Sequence, residues 1–228
     1  MWLLTAALIA SAVGACGSTR TYESDPRTLL REGKQVVDAA TSVHFSITSS
    51  DVQASGTYIT GGSGDAKRPD AFAGSLAVVV GGLPLNIAIL SSKGTFYVKL
   101  PFSSSYAPTD PAKYGFADPA HLIDPSTGLS SLLVAAKTAS LADRDRFRGE
   151  ELYEVQASFP GQQVKDLLTS ADPAKDVRGM VGINVDTHQV RRVVLTGPFF
   201  DARKLSTYTL ILDNYGENVS ITPPPATS

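Results

Sequence analysis

Residues 74–100 read GSLAVVVGGLPLNIAILSSKGTFYVKL, and apolar side chains recur there at every second position in three successive runs. Such alternation is typical of β-strands, in which successive side chains point to opposite faces of a sheet. The sequences GGLP at 81–84 and SSKG at 91–94 favour tight turns between the runs. Three rows each share one face: Leu76, Val78 and Val80; Leu85, Ile87 and Ile89; and Phe96, Val98 and Leu100. The stretch therefore predicts an antiparallel meander.

The opposite faces of these strands are not purely polar, because Ala77, Val79, Ala88 and Leu90 lie there. Two interpretations follow. In the first, an ordinary sheet packs against helices on one side and exposes a few apolar residues on the other. In the second, the helices face the sheet across a gap that the frequent Gly, Ala and Ser fill incompletely, which leaves a hollow of lipid size.

The pattern on both sides of this stretch predicts one α+β domain of about ten strands and three or four helices. Asp25-Pro26 is typical of a helix start, and the period changes from 3.6 to 2 after Ser42. The sequence GGSGD at 61–65 indicates a turn before the strand at 72–80. Further helices are predicted after Asp118-Pro119, after Asp124-Pro125 and from Pro160. Further strands are predicted at 138–142, 147–158, 178–186, 189–196, 206–213 and 217–222, followed by a flexible tail at 223–228.

Composition excludes several classes of function. The 228 residues carry 20 Lys and Arg against 22 Asp and Glu, a balance without the strongly basic face of a nucleic-acid binder. A single Cys excludes a disulfide framework. The chain lacks the common nucleophile, phosphate-binding and zinc motifs, and His44, His121 and His188 are far apart in sequence. We therefore predict no catalytic residues, no metal site and no cofactor.

The N-terminus predicts export and lipid attachment. Residues 2–13 are almost wholly apolar, but twelve residues are too few to cross a hydrocarbon layer that needs roughly 20. The sequence Val13-Gly14-Ala15-Cys16 resembles the lipobox of bacterial lipoproteins. It implies a signal peptide at 1–15, a diacylglycerol-modified Cys16, and a location on the extracytoplasmic face of the cytoplasmic membrane. An ordinary signal peptide with a chance Cys is the alternative. The linker at 17–24 reaches at most roughly 30 Å, which keeps the domain at 25–222 near its bilayer.

Several ordered motifs resemble the mycobacterial lipoprotein family that contains LppX, LprA, LprF and LprG. They are SVHF at 42–45, GSLAVVVGG at 74–82, KGTFYVKL at 93–100, YGFADPAHLIDPSTGLSSLL at 114–133, LTG at 195–197 and YTLILDNYGENVSITPPP at 208–225. The resemblance implies a strongly curved antiparallel half-barrel whose concave face is covered by helices. The hollow between them would hold the acyl chains of triacylated lipids or glycolipids.

The resemblance places the GSLAVVV strand in the wall of this hollow, so Leu76, Val78 and Val80 are the first contact candidates. Strand parity and helix stripes add a second group of candidates: Ile87, Ile89, Phe96, Val98, Leu129, Leu133 and Leu168. The loop at 101–117, with Tyr106 and Tyr114, is a candidate for contacting sugar head groups at the mouth of the hollow.

The predicted function is a membrane-anchored carrier that passes lipids to a lipid-exporting membrane transporter. The alternative is a lipoprotein that carries nothing and docks on a transporter or scaffold through an apolar patch. The volume of the hollow discriminates between them. A hollow well above about 1,000 Å³, the upper end of ordinary ligand pockets, favours lipid. A packed interior favours docking.

Overall fold

The computed structural model describes residues 25–52 and 56–224. Within these ranges the chain forms three α-helices and twelve strands. The helices are α1 Pro26–Ala39, α2 Leu129–Val134 and α3 Gly161–Leu167, and the 3₁₀ turns are Pro111–Tyr114 and Pro119–His121. The strands are β1 Ser42–Ser50, β2 Tyr58–Lys67, β3 Ala71–Val80, β4 Leu83–Ser92, β5 Thr95–Lys99, β6 Ala107–Pro108, β7 Thr138–Leu141, β8 Asp145–Phe147, β9 Glu150–Phe159, β10 Val177–Asn184, β11 Val190–Asp201 and β12 Lys204–Asp213.

All the strands join one open antiparallel sheet in the order β6-β5-β4-β3-β2-β1-β12-β11-β10-β9-β7, and β8 also pairs with β9. The sheet consists of two meanders that meet where β1 pairs with β12, with Phe45 opposite Leu212. The hydrophobic core lies between this sheet and the helices. The predicted α+β fold, a curved antiparallel sheet with helices on its concave side, is confirmed.

Helix α1 forms as the sequence predicts. The Asp25 carboxylate accepts a hydrogen bond from the Thr28 amide at 2.9 Å, and Pro26 occupies the first turn, where its missing N–H costs nothing. The apolar stripe of the helix is buried, with Leu29 and Val37 at 1% and 0% exposure. The helix therefore packs firmly along the inner side of the domain.

The glycines that follow β1 lie within a strand rather than in a turn. Residues 61–65 belong to β2, and the reversal comes later, at 68–70. Gly64 pairs directly with Gly74 of β3. A Cβ atom built on Gly64 would lie 2.6 Å from the Phe72 ring and 2.8 Å from the Gly74 Cα atom. The predicted turn is therefore wrong, because these glycines allow a close approach between two strands instead.

Two further predicted elements differ from the structure: the strand at 217–222 and the start of the helix after Asp124-Pro125. The segment at 217–222 forms no strand and is held by side chains, since Ser42 Oγ and Lys67 Nζ donate to the carbonyls of Glu217 and Val219, each at 2.6 Å. The Asp124 carboxylate accepts from the amides of Ser126 and Thr127, which makes a turn, so α2 begins only at Leu129.

Some predictions concern residues that the structure does not describe. The signal peptide at 1–15, the lipid attachment at Cys16 and the linker at 17–24 lie outside the described residues, as do positions 225–228 of the predicted tail. Among the helices in the described ranges, none has both the length and the hydropathy to cross a membrane.

Candidate functional site

An apolar cavity of about 80 Å³ lies between the concave face of the sheet and a roof made of loops and short helices. Its wall comes from six strands and its roof from the segments around α2 and α3. The wall residues are Phe45, Ser46, Ile47, Ile59, Gly62, Ser63, Phe72, Leu76, Ile89, Leu195 and Leu210. The roof residues are Phe116, Ala117, Pro119, Leu122, Leu129, Leu167 and Leu168. No residue in either set titrates near neutral pH, so the cavity suits hydrocarbon rather than acid–base chemistry.

The volume of this cavity differs from the prediction of a hollow above about 1,000 Å³. Pockets that enclose drug-sized ligands measure about 300–1,000 Å³, and this one measures about 80 Å³. The roof side chains Phe116, Leu129 and Leu168 are at most 6% exposed and fill most of the space. The expectation of an open hollow is therefore wrong for this arrangement of roof and sheet.

Two of the residues that line the cavity lie opposite glycines in the sheet. Leu76 is paired with Gly62 across β2, and Ile89 is paired with Gly74 across β3. A Cβ atom built on Gly62 would clash with Leu76 Cδ2, so the Leu76 side chain already fills the space above this glycine. The glycines of β2 and β3 therefore let Leu76 and Phe72 pack over the strand pair, and both of these residues line the cavity.

Four of the ten predicted contact residues line the cavity: Leu76, Ile89, Leu129 and Leu168. The other six are Val78, Val80, Ile87, Phe96, Val98 and Leu133. Five of these six are buried, and Val80 packs half-buried against the core.

Five of the six residues that do not line the cavity have identifiable neighbours. Val78 is paired with Ile59, and Ile87 is paired with Leu76. Val98 is paired with Ile89, so each of the three has a large apolar side chain beside it. Phe96 makes an edge contact with the Phe116 ring at 5.7 Å between centroids. Leu133 lies one turn after Leu129 on α2, where it lines a separate pocket with Leu30 of α1.

Several lining residues were missed by the sequence analysis, and some of them left a signal. Phe45 and Ile47 alternate along β1, and Phe72 has the same parity as Leu76. Phe45 and Ile47 also lie opposite Gly64 and Gly62, whereas Phe72 is paired with Ala66 and Ser91. Phe116 and Leu122 lie in irregular segments, where no periodicity marks the inward side.

A larger groove of about 630 Å³ lies on the outside of the roof. Ala117, Leu122 and Leu167 line both the groove and the cavity. These three residues, called the partition below, separate the apolar interior from solvent. A displacement of the partition would join the two spaces.

The rim of the groove is polar. The members of this rim are Lys34, Asp118, His121, Ser126, Thr127, Ser131, Gln163 and Asp166. Asp118 is fixed in place, since its carboxylate accepts from Ser91 Oγ at 2.7 Å and from the Ala120 amide at 3.0 Å. Lys34 donates to Asp38 at 2.7 Å and to the Pro125 carbonyl at 2.6 Å. Hydroxyl, carboxylate and amide groups of this kind suit a polar, hydroxyl-rich head group.

The interior beside the cavity is dry. Tyr208 of β12, two residues from the lining residue Leu210, is 2% exposed, and its ring meets the Phe199 ring at 5.0 Å. Burial raises the pKa of Tyr208 to about 12, because the phenolate would lose its hydration.

A cluster of charged residues lies on the opposite face of β9 from the core residue Val155, where Arg192 donates to Glu154 at 2.7 Å and to Asp145 at 2.8 Å. Within residues 25–52 and 56–224, no group of His, Cys, Asp and Glu could hold a metal ion.

The fold is a curved antiparallel sheet roofed by short helices over an apolar cavity, with a polar-rimmed groove outside the roof. The comparison with protein families identifies the particular class. The model of the LppX_LprAFG lipoprotein family matches residues 25–221, and the chain belongs to this family. The resemblance predicted from the sequence motifs is confirmed.

Relatives of known name agree with this assignment. The chain is 24% identical over 233 residues to the protein named lipoarabinomannan carrier protein LprG of Mycobacterium tuberculosis, covering 98% of this chain and 94% of that protein. The LprG of Mycobacterium bovis matches to the same extent.

Two solved structures show the same fold. The crystal structure of LprF from Mycobacterium bovis matches with a TM-score of 0.69 at 16% identity, covering 87% of this chain and 96% of that chain. The crystal structure of Mycobacterium tuberculosis LppX matches with a TM-score of 0.63 at 20% identity, covering 87% and 100%.

Proposed function

We propose that this protein is a membrane-anchored lipoprotein of the cell envelope that binds triacylated lipids or glycolipids and hands them to a lipid-exporting membrane transporter. The observation that carries the proposal is the apolar cavity and its partition beneath a groove with a polar rim. The name of the relative LprG, a lipoarabinomannan carrier, supports the same class of ligand.

Loading requires the roof to move away from the sheet, because the cavity of about 80 Å³ is too small for acyl chains. The roof is suited to such movement. Helices α2 and α3 have only 6 and 7 residues, and isolated helices shorter than about 12 residues are marginal in water. The roof packs on the sheet through apolar contacts, which can be exchanged for contacts with acyl chains at little net cost.

The energetics favour transfer between a membrane and the protein over capture from water. Exposing a chain of about 16 carbons to water costs on the order of 12 kcal/mol, at about 0.8 kcal/mol for each methylene group. Three such chains would exceed the ceiling of about 18–21 kcal/mol on non-covalent affinity. Affinity from water is therefore the wrong measure, and exchange with a bilayer is the relevant reaction.

The head group of the lipid would lie in the groove, directly outside the partition. The rim offers Asp118, His121, Gln163 and Asp166 as hydrogen-bonding partners for hydroxyl groups. Neither Tyr106 nor Tyr114, the head-group candidates in the 101–117 loop, lines the groove or the cavity. Tyr114 instead packs against Phe116, with 6.4 Å between ring centroids.

Membrane attachment through the acylated Cys16 limits how far the domain travels. The linker at 17–24 spans at most roughly 30 Å, so the protein delivers its lipid close to the membrane and needs a partner that carries it further. Crosslinking in intact membranes is expected to recover a transporter. Recovery of no membrane protein would contradict the handover.

A second function, docking on a transporter without any lipid, is favoured by one observation, the small volume of the cavity in this structure. Extraction of lipid from the protein made in its native host distinguishes the two functions. The carrier is expected to yield close to one acylated lipid per chain by native mass spectrometry, and the loss of that lipid on denaturation confirms non-covalent binding. A folded chain that carries no lipid would contradict the carrier and favour docking.

A further inference from the structure

One end of the sheet carries the exposed large apolar side chains. It is the end where β1, β3 and β5 finish and where β2, β4 and β12 begin, and we call it the apolar end. Among the described residues, the large hydrophobic side chains that are exposed, with their exposed fractions, are Leu83 at 67%, Leu100 at 46%, Phe102 at 100%, Val134 at 50% and Leu205 at 47%.

The strand pairing places these residues at the same end. Leu83 begins β4 and is paired with Val80 at the end of β3. Leu100 and Phe102 follow the last residue of β5, which runs antiparallel to β4. Leu205 lies in the β11–β12 hairpin, beside the end of β1, since Thr207 is paired with Ser50.

Val134 reaches this end from the helical side. It is the last residue of α2, and β7 begins four residues later, with Thr138 paired with Ser158 near the end of β9. Strand pairing connects this position across β9, β10 and β11 to the start of β12, which lies at the apolar end. Apolar side chains therefore project from both the sheet and the roof at the apolar end.

The opposite end of the sheet is charged. Its turns carry Arg68 and Asp70 between β2 and β3, Lys93 between β4 and β5, and Arg148 between β8 and β9. Lys93 and Arg148 are both exposed. Arg203 and Lys204 are also exposed beside Leu205, so both ends carry charge, but the large exposed apolar side chains of the described residues lie at the apolar end. Such clustering indicates that the apolar end has a partner.

The chain enters the domain at the apolar end. Arg27, in the first turn of α1, donates to the carbonyl oxygens of Ala136 and Lys137 at 3.2 and 2.9 Å. These carbonyls lie between Val134 and the start of β7. The linker at 17–24 and the acylated Cys16 therefore attach at this end, and a reach of at most roughly 30 Å holds it close to the bilayer.

The groove also extends to this end. Val134 and Ala135 line one part of it, and Pro125, Ser126 and Thr127 line the part near the other end of α2. A lipid that leaves a bilayer beneath Val134 would meet the groove before it meets the partition.

We propose that the apolar end rests on the lipid bilayer, with Phe102, Leu83 and Leu205 inserted among the lipid chains. The proposal rests on the proposed membrane anchor. The anchor raises the local concentration of bilayer around the domain, so weak insertion of a few side chains suffices to fix its orientation. Docking in this orientation turns the groove toward the membrane that supplies the lipid.

Site-specific tryptophans test this orientation. Trp2, the only Trp of the chain, lies in the predicted signal peptide and is removed when Cys16 becomes the acylated N-terminus, so each variant carries a single Trp reporter. Phe102→Trp and Leu205→Trp report on the apolar end, and Lys93→Trp is the matched control at the charged end. The full chain, made with its lipid anchor, is reconstituted into phosphatidylethanolamine and phosphatidylglycerol vesicles that contain chain-brominated lipid.

Bromine quenches a tryptophan only at close range. We expect quenching at Phe102→Trp and at Leu205→Trp to be at least twofold stronger than at Lys93→Trp. Quenching at either position that merely matches Lys93→Trp would overturn docking of this end. Flotation of the vesicles and mass analysis of bound lipid are measured on the same samples.

Flotation and the analysis of bound lipid distinguish the docking proposal from the proposed anchor and from the proposed carrier function. Failure of all variants to float overturns both the anchor and the docking. Flotation without preferential quenching overturns the docking and leaves the anchor. Absence of bound lipid overturns the carrier function, whereas preferential quenching in the same sample still supports the docking.

Discussion

Leu76 illustrates at the scale of one residue how a side chain of the sheet lines the cavity. It is 7% exposed, lines the cavity and faces Gly62 across the β2–β3 pair. A substitution of Leu76 by a larger residue would occupy the free space directly, because a well-packed roof leaves no other room for the added ring.

We predict that Leu76→Trp reduces the lipid bound per chain by about tenfold or more, at a folding cost of about 1–3 kcal/mol for overpacking. Native mass spectrometry of protein from the native host measures the loading, and denaturant unfolding measures the stability. Ser75→Trp is the matched control, since Ser75 is exposed on the other face of the same strand. Equal loading of Leu76→Trp and Ser75→Trp would contradict a ligand in this cavity.

At Glu154, the cost of burying a carboxylate outweighs the attraction of a neighbouring cation. Its side chain is 5% exposed, and Oε2 is buried without a hydrogen-bond partner, although Oε1 accepts from Arg192. Burial raises the pKa of Glu154 above its ordinary value of 4.5, since desolvation of the carboxylate outweighs the attraction of Arg192. The folded chain therefore holds this proton more tightly than the unfolded chain.

The consequence is a dependence of stability on pH. From pH 4.5 up to the raised pKa, the contribution of Glu154 to the free energy of unfolding falls as pH rises. We predict that Glu154→Gln removes this fall, measured by urea unfolding between about pH 4 and 7. Glu151→Gln is the control, because a hydrogen bond from Arg144 lowers the pKa of Glu151, so its contribution changes only below pH 4.5 and the profile above that pH stays as in the unmodified protein. An unchanged pH profile of stability in Glu154→Gln would refute a raised pKa of Glu154 in the folded chain.

At the scale of elements, the roof is where the structure adds most to the sequence. The strand periodicity located the walls, but the partition residues Leu122 and Leu167 come from a loop and from the last residue of a short helix. Neither position follows a pattern long enough to show which side faces inward. The sequence predicted helices at 128–136 and 162–169 whose apolar stripes face the sheet. Of their candidate residues, Leu129 and Leu168 line the cavity and Leu133 does not.

We predict that the double variant Leu122→Ala and Leu167→Ala takes up a fluorescent acyl-chain probe from vesicles faster than the unmodified protein. Both side chains form the partition, and smaller ones lower the barrier between groove and cavity. Stopped-flow fluorescence measures the rate.

Leu133→Ala is the control for this experiment, since Leu133 is 1% exposed and does not line the cavity. It should cost about 2–5 kcal/mol in stability, as truncations of buried Leu do, without speeding uptake. Faster uptake by Leu133→Ala as well would show that general destabilisation is the cause.

At the scale of the whole molecule, we expect the roof to move during lipid loading and the two meanders to stay rigid. We predict that lipid loading changes amide hydrogen exchange mainly at 115–134 and 161–168, the segments of the roof, and leaves β9 to β12 nearly unchanged. The physical reason is that the roof must move to enlarge a cavity of about 80 Å³, whereas the strands are held by continuous ladders.

Exchange measured by mass spectrometry on lipid-loaded and extracted protein checks this prediction. A uniform change over both meanders would indicate that the sheet, rather than the roof, opens to admit the ligand.

The sequence by itself determined the sheet, the first helix and the family, because alternation, helix capping and turn residues act between neighbours along the chain. The tertiary structure alone decided which apolar residues line the cavity. Leu76 and Ile89 line it, whereas their strand neighbours Val78 and Ile87 are buried without lining it. Free space depends on the residues on both sides of a gap, and chain segments far apart in sequence supply those residues.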